Sequence, residues 1–249
     1  MNDDRPAGVD HGGALPMRTD DGSKHFLAAF SDPAAVARYA EGPPRFVPGF
    51  HDLHRMCGVM LAERAPNNAR VLVVGAGGGL ELKALAEAHP GWTFVGVDPA
   101  AEMLRGAQRL LGPLNDRVEL VEGYVEDVAE RDFDAATCLL TLHFLGRDER
   151  LRTEREIRRR LKPGAPFVAA HGSFPQDPAQ RDAWLDRYAA FAIASGFDPV
   201  QARGARDAVS ASVNMLSPDE DEAILREAGF TDVTLFYAAF TWRGWAAYA

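Results

Sequence analysis

The stretch Val71-Leu72-Val73-Val74-Gly75-Ala76-Gly77-Gly78-Gly79-Leu80-Glu81 decides how this chain is read. Four consecutive apolar residues make a buried strand, a glycine cluster turns the chain, and a helical pattern runs on through residues 80–89. Glycine lets a backbone turn tightly and approach a ligand closely, and the helix start beyond it leaves N–H groups free to meet that ligand. The next apolar run, Thr93-Phe94-Val95-Gly96-Val97, ends in Asp98, 23 positions after Gly75. An acid at that strand end is placed to accept hydrogen bonds from both ribose hydroxyls of a nucleoside. A glycine cluster alone reads as a plain turn; strand, helix and acid in register read as a nucleoside site. The dinucleotide fingerprint GxGxxG needs its third glycine at position 80, where Leu80 stands. Glycines at 75, 77 and 79 form GxGxG instead, a wider turn suited to an uncharged amino-acid tail rather than a pyrophosphate.

The same rhythm continues outward. Residues 118–121, 133–140 and 167–170 supply three more apolar strands, with helical patterns over 101–111 and 148–161. Residues 174–214 break the alternation and read as a helical insertion, over 182–195 and then from 199 to about 212, with Trp184, Tyr188 and Phe191 on one stripe. Ser217-Pro218-Asp219-Glu220 starts a fresh helix with a hydroxyl cap, proline at the first position and an acid at the third. It ends at Ala228-Gly229, and residues 233–240 and 244–248 close the chain as an edge hairpin around Thr241-Trp242-Arg243. Strands alternating with helices predict an α/β protein, a doubly wound, mostly parallel seven-stranded sheet covered on both faces. Residues 1–25 lack periodicity and read as a flexible tail. Residues 26–66 read as a helical N-terminal arm, with a cap at Ser31-Asp32-Pro33, a break at Gly42-Pro43-Pro44 and a second helix opening at Phe50. Residues 67–249 then form the ligand-binding domain with its insertion at 174–214.

Composition narrows the partners. The chain has 249 residues and 27 Lys+Arg against 36 Asp+Glu, a formal charge of −9. That balance argues against a broad phosphate-binding footprint and so against DNA or RNA. Two isolated cysteines, Cys57 and Cys138, exclude a disulfide scaffold and a CxxC site and fit a cytoplasmic protein. No apolar run approaches the ~20 residues of a membrane span. His51 and His54 stand i,i+3 on a helix without a third ligand at metal spacing, so no metal is expected.

The GxGxG turn resembles the S-adenosylmethionine (SAM) loop of class I methyltransferases, and the likeness extends in order along about 180 residues. Gly96-Val97-Asp98-Pro99-Ala100-Ala101-Glu102-Met103-Leu104 looks like that family's ribose segment. Glu122-Gly123-Tyr124-Val125-Glu126-Asp127 falls where the family contacts adenine. Phe133-Asp134-Ala135-Ala136 leading to Leu142-His143-Phe144-Leu145 resembles its fourth strand and the loop over the sulfonium. Leu161-Lys162-Pro163-Gly164 and Leu225-Arg226-Glu227-Ala228-Gly229-Phe230 match later landmarks. The resemblance implies a Rossmann-like methyltransferase fold and SAM as cofactor. It implies that Gly75, Ala76, Gly77 and Gly79 hold the methionine end, and Asp98, Pro99 and Met103 the ribose side. It further implies that Tyr124, Val125 and Glu126 border adenine, and that Leu139 and Leu140 floor the methyl site with Phe50 nearby. Arg45-Phe46-Val47-Pro48-Gly49-Phe50, Thr141-Leu142-His143-Phe144-Leu145, the insertion and the tail are similar to carboxy-SAM synthases, enzymes of tRNA wobble modification. This chain departs from them at Phe50, where they carry Tyr, and at Leu139, where they carry a ligand-holding Asn. Their carboxylate-binding Arg in the insertion has no gap-free counterpart, Arg203 and Arg206 being nearest.

Several residues carry two readings each. His143, beside the expected methyl position, reads as a base or substrate contact, or as a structural histidine. His171, at the end of the fifth strand, and Tyr188 and Arg206, in the insertion, read as substrate contacts or as packing and surface residues. Tyr124 either borders adenine or packs in the core. The eight basic residues from Arg147 to Lys162 alternate with four acids and read as a solvated helix face. Methyl transfer from a sulfonium is an in-line displacement in which the protein mainly positions its reactants and excludes water. The expected function is therefore a SAM-dependent methyltransferase acting on a small molecule, with carboxy-SAM synthase-like chemistry or a non-catalytic SAM-binding module as alternatives. The helical extensions could pair subunits as a homodimer.

Overall fold

Arg70–Val74 (β1) carries four buried residues in succession, which only a strand covered on both faces accommodates. In the computed structural model, which describes Phe30, Val36 and residues 39–249, β1 lies at the centre of a seven-stranded sheet. On one side of it run Thr93–Asp98 (β2) and Val118–Glu122 (β3), and on the other Ala135–Leu139 (β4) and Pro166–Gly172 (β5), all parallel. Thr231–Ala239 (β6) and Trp242–Tyr248 (β7) complete the order β3-β2-β1-β4-β5-β7-β6, with β7 antiparallel to both its neighbours. The expected edge hairpin thus has an inner strand and an outer one. Its turn sits at Phe240 and Thr241 and not over 241–243, because Trp242 already pairs with Gly172 and Ala239.

One face of the sheet is covered by Phe50–Ala62 (α2), Leu80–Ala88 (α3) and Ala101–Leu111 (α4), following a short helix Pro43–Phe46 (α1). Arg147–Arg160 (α5) and Pro218–Glu227 (α8) cover the other face. The expected break at Gly42-Pro43-Pro44 is instead the start of α1, since proline fits the first turn of a helix, where its missing N–H has no partner to lose. α8 has the reciprocal cap read from sequence: Ser217 N–H donates to Glu220 Oε2 at 2.9 Å, and Glu220 N–H to Ser217 Oγ at 3.4 Å. The segment 174–214 contributes Pro178–Ala194 (α6) and Pro199–Ser212 (α7), which pack on each other. Each opens with an aspartate cap followed by proline, Asp177 and Asp198. The expected helix from Ser31 and the tail before it lie outside the described residues, apart from Phe30 and Val36.

Insertion and arm meet through aromatic rings. Tyr188 of α6 stacks on Phe46 of α1 at 4.9 Å, Phe46 meets Phe197, and Tyr188 lies 6.3 Å from Trp242 of β7. Trp242 Nε1 donates to the Phe46 carbonyl at 2.8 Å and the Tyr237 hydroxyl to the Pro48 carbonyl at 2.5 Å. Burying the polar tips of these rings against main-chain carbonyls removes the penalty their desolvation would carry.

Candidate active site

All five parallel strands end on one side of the sheet, where ligands of open α/β folds bind. There β1 leads into the glycine turn. Gly75 and Ala76 N–H groups both donate to the Val97 carbonyl, at 2.9 and 3.0 Å, tying the turn to β2. Gly75 has φ +74°, and a Cβ on it would lie 2.0 Å from Thr141 Oγ1, so the loop beyond β4 closes directly onto the glycine turn. Gly79 has φ +82°, and a Cβ there would lie 2.9 Å from the Ala107 backbone of α4.

Asp98 is the hub between these pieces. Its Oδ2 accepts from Gly77 N–H and its Oδ1 from Ala100 N–H, each at 2.9 Å, while Gly123 N–H donates to its carbonyl at 3.1 Å. Burial nevertheless pushes its pKa above the ordinary carboxylate value, the two N–H bonds only partly offsetting the loss of water. Met103 packs under Gly77, its Cε 3.4 Å from where a Cβ would be. Pro99 is half-buried beside Asp98. Tyr124 is half-buried, and burial, with Glu126, Glu149, Asp127 and Asp98 nearby, raises its hydroxyl pKa. Val125 packs its side chain into the core, and Glu126 is exposed. Buried Arg160 secures this segment by donating to the Glu126 and Val128 carbonyls, at 2.9 and 3.1 Å.

Leu139 is buried, and Leu140 turns the chain at φ +55° with its N–H on the Ala170 carbonyl. Leu142–Phe144 then forms one 3₁₀ turn that buries His143. Phe50 is buried at the start of α2, its ring 4.5 Å from His54.

Three residues at the site carried no recognised signal. Tyr39 lays its ring over the turn, 3.1 Å from a Cβ on Gly78, and Phe30 lies edge-on to both Tyr39, at 5.9 Å, and Phe144, at 6.2 Å. Burial, with Asp98 and Glu81 nearby, pushes the Tyr39 hydroxyl up to about 12. These aromatics belong to the arm, and only the fold brings the arm over the turn. Glu81, in the first turn of α3, is buried beside Thr137 with Oε1 lacking any hydrogen-bond partner, and burial raises it to about 7. Its nearness to the glycines was visible; its inward orientation was not.

Two expectations change. β5 sends alternate side chains to opposite faces, so His171 joins Phe167 and Ala169 on the face covered by α5 and α8 rather than opening onto the cleft. It is 1% exposed, under Trp245, with Nε2 standing 3.3 Å from Asp221 Oδ1. Arg206 lies on α7 with its guanidinium on Asp182, Asp186 and Asp207, at 3.2–3.3 Å, and so has its charge already engaged. Tyr188 is the ring that stacks on Phe46.

The expected solvated face of α5 is also corrected. Arg150, Glu154 and Arg160 are buried, at 0%, 1% and 3% exposure, because α5 packs into the angle between α8 and the loop over 125–128. Arg150 pairs with Asp221 and donates to the Asn214 carbonyl at 2.8 Å. Glu156 pairs with Arg160 at 2.6 Å, whereas Glu154 turns inward and burial holds its pKa well above normal. Among the described residues no group of three or more His, Cys, Asp or Glu could hold a metal, and no helix is long and apolar enough to cross a membrane.

Residues 72–167 match the methyltransferase domain family. The carboxy-S-adenosyl-L-methionine synthase of Chromohalobacter salexigens is 30% identical over 220 residues, covering 85% of this chain and 80% of that one. This chain belongs to the class I SAM-dependent methyltransferase family. Within it the likeness runs along the carboxy-SAM synthase branch. It is an enzyme family whose cofactor is SAM, and the matched residues 72–167 include the glycine turn and Asp98. Two solved structures share the fold. An O-methyltransferase family protein from Burkholderia thailandensis has TM-score 0.66 and 16% identity over 91% of this chain and 62% of that one. PigF with SAH has TM-score 0.64 and 21% identity over 89% and 61%. The methyltransferase spans about three fifths of each.

The free backbone groups fit the cofactor. The first turn of α3 leaves backbone N–H groups without helical partners, and the Asp98 carboxylate keeps lone pairs beyond its two backbone bonds, which are donors and acceptors of the kind an amino-acid end and ribose hydroxyls require.

Proposed function

We propose that this enzyme transfers the methyl group of SAM to a small-molecule acceptor. The observation that carries this is the cover over the strand ends: Phe30 and Tyr39 lie across the glycine turn, and α6 stacks on α1 and β7 through Tyr188, Phe46 and Trp242. A site roofed by apolar rings suits a small acceptor better than a polyanion, which an acidic chain repels. Gly75, Ala76, Gly77 and Gly79 take the methionine end, and Asp98 takes the ribose with Pro99 and Met103 beside it. Tyr124, Val125 and Glu126 border adenine through the Tyr124 ring and the Val125 and Glu126 backbone; Leu139, Leu140 and Phe50 wall the sulfonium. The acceptor's lone pair attacks the methyl carbon as the C–S bond breaks, and the electron pair stays on sulfur as a neutral thioether. Positive charge is dispersed along that path, so exclusion of water and in-line positioning supply the rate. The arm, residues 26–66, and the insertion, 174–214, supply the acceptor side of a SAM-binding domain over 67–249. The protein works in the cytoplasm, without nucleic-acid or membrane partners.

Carboxy-SAM synthase-like chemistry is the second reading, favoured by the 30% identical relative. Against it stand Leu139, which offers the ligand no polar group, and Arg206, whose charge is engaged by three aspartates. A carboxylate brought into the cleft without donors would be costly to desolvate. Mass spectrometry of the ligand that copurifies tests both readings. SAM or its demethylated product supports methyl transfer, and a species heavier than SAM by one CO₂ overturns it. Incubation with methyl-labelled SAM and a panel of small acceptors then identifies the acceptor.

A further inference from the structure

His143 is held between two fixed points. On one side Gly172 N–H points at its Nδ1, 3.4 Å away. On the other, Arg150 Nη2 donates to the carbonyl of Leu145, two residues beyond it, at 3.3 Å. Gly172 follows His171, whose ring faces Asp221, and Asp221 pairs with Arg150. One buried cluster, drawn from β5, α5 and α8, therefore holds both backbone segments that frame the ring. Phe144 and Trp242 complete the surroundings, with ring centroids at 4.3 and 5.6 Å.

This frame selects a tautomer. A neutral imidazole has one N–H and one acceptor nitrogen. A proton on Nδ1 would set it against Gly172 N–H, two donors facing each other at a residue only 5% exposed. The proton therefore sits on Nε2, which has no hydrogen bond to any described residue. Burial, then His171 and Arg150, keep the ring neutral against the weaker pull of Asp221.

Resting on the methyltransferase reading above, we infer that His143 meets the acceptor as a hydrogen-bond donor through Nε2–H and takes no proton from it. A base at this position would need its lone pair on Nε2, and that pair is on Nδ1. The acceptor class follows: a molecule that offers an oxygen or nitrogen lone pair to this donor and whose attacking atom is already bare at neutral pH. A carboxylate, an acidic phenol or enol in its anionic form, and an aromatic amine with a separate acceptor atom meet this condition, whereas an alcohol or an alkylamine, which must lose a proton to react, does not. His143 then orients the acceptor for in-line attack.

The test reads the ring directly. In protein labelled with ¹⁵N-histidine and saturated with S-adenosylhomocysteine, long-range ¹H–¹⁵N spectra distinguish a protonated Nε2 from a protonated Nδ1. The His143 signals are assigned by their loss in His143→Gln, or through contacts to the Trp242 ring if that variant does not fold. The expected result is an Nε2–H ring whose shifts stay constant between about pH 6 and 9. A proton on Nδ1, or a titration inside that range, overturns the inference. The S-adenosylhomocysteine isotherm of the same sample reports on cofactor binding by itself, so failure to bind it counts against the methyltransferase reading and leaves the tautomer result standing.

Discussion

Two arginines meet acids in opposite settings. Arg150 is fully buried and pairs with Asp221, 1% exposed, at the junction of α5, α8 and β5. Arg206 reaches three aspartates on the insertion, each 70–73% exposed. The exposed cluster has more partners and less consequence, because water and salt screen it and each long side chain loses entropy in pairing. The buried pair has given up hydration on both sides, so either partner left alone is a desolvated charge. It also sits two contacts from His143, whereas the Arg206 cluster touches only its own helix pair. Burial, and not the number of partners, decides which arginine ties distant elements together.

The sharpest way to break that comparison is Arg150→Met. Stability measured by urea unfolding should fall by about 3–5 kcal/mol, the usual result of stranding one buried partner. Arg150→Met combined with Asp221→Leu should recover most of that; a double variant as weak as the single would mean that the loss comes from packing and not from the stranded charge. Glu81 gives the contrasting case of a buried acid with no ion-pair partner among the described residues. An unfolded carboxyl gives up its proton above about pH 4.3, but folded Glu81 keeps its own until about pH 7. The folded state binds more protons between those values, so stability should decline as pH rises from about 4.5 to 7, by up to about 3 kcal/mol, and then level off. Glu81→Gln should flatten this part of the profile, and an unchanged slope would remove Glu81 as its source.

The cofactor turn gives the next measure. Asp98→Ala should abolish most of the thermal stabilisation conferred by SAM, a loss of about 2–3 kcal/mol where ligand exceeds its dissociation constant 100-fold. An undiminished shift would refute the ribose assignment. The smallest effect belongs to Arg206→Ala. It should change stability by less than about 1 kcal/mol and leave the mass of the copurified ligand unaltered. A lost or altered ligand would restore Arg206 to the cleft.

Legibility followed the range of the interactions. The glycine turn, the strands and the Ser217 cap depend on neighbours within a few positions, and Asp98 follows the turn at a set spacing, so periodicity and spacing exposed them. α5 misled because alternating charge is the ordinary mark of a wet helix face, and nothing local says that α8 and the Val128 loop will close over Arg150, Glu154 and Arg160. His171 misled for a related reason: its position at a strand end was right, but the face it points to depends on the register of β5. Tyr39 and Phe30 act on the glycine turn from a distant part of the chain, beyond the reach of any local pattern.

The amino-acid sequence alone determined that this chain builds a doubly wound sheet around a nucleoside-type turn, since strand, glycine, helix and acid must stand in fixed succession for such a turn to form. The 249 residues and their charge of −9 further disfavoured a polyanionic partner. Tertiary structure decided which charges are buried, which face of the sheet His171 joins and which backbone N–H meets His143 Nδ1. These depend on what packs against a side chain from elsewhere in the fold, and burial changes the cost of a charge or an unpaired donor by several kcal/mol without altering the local sequence.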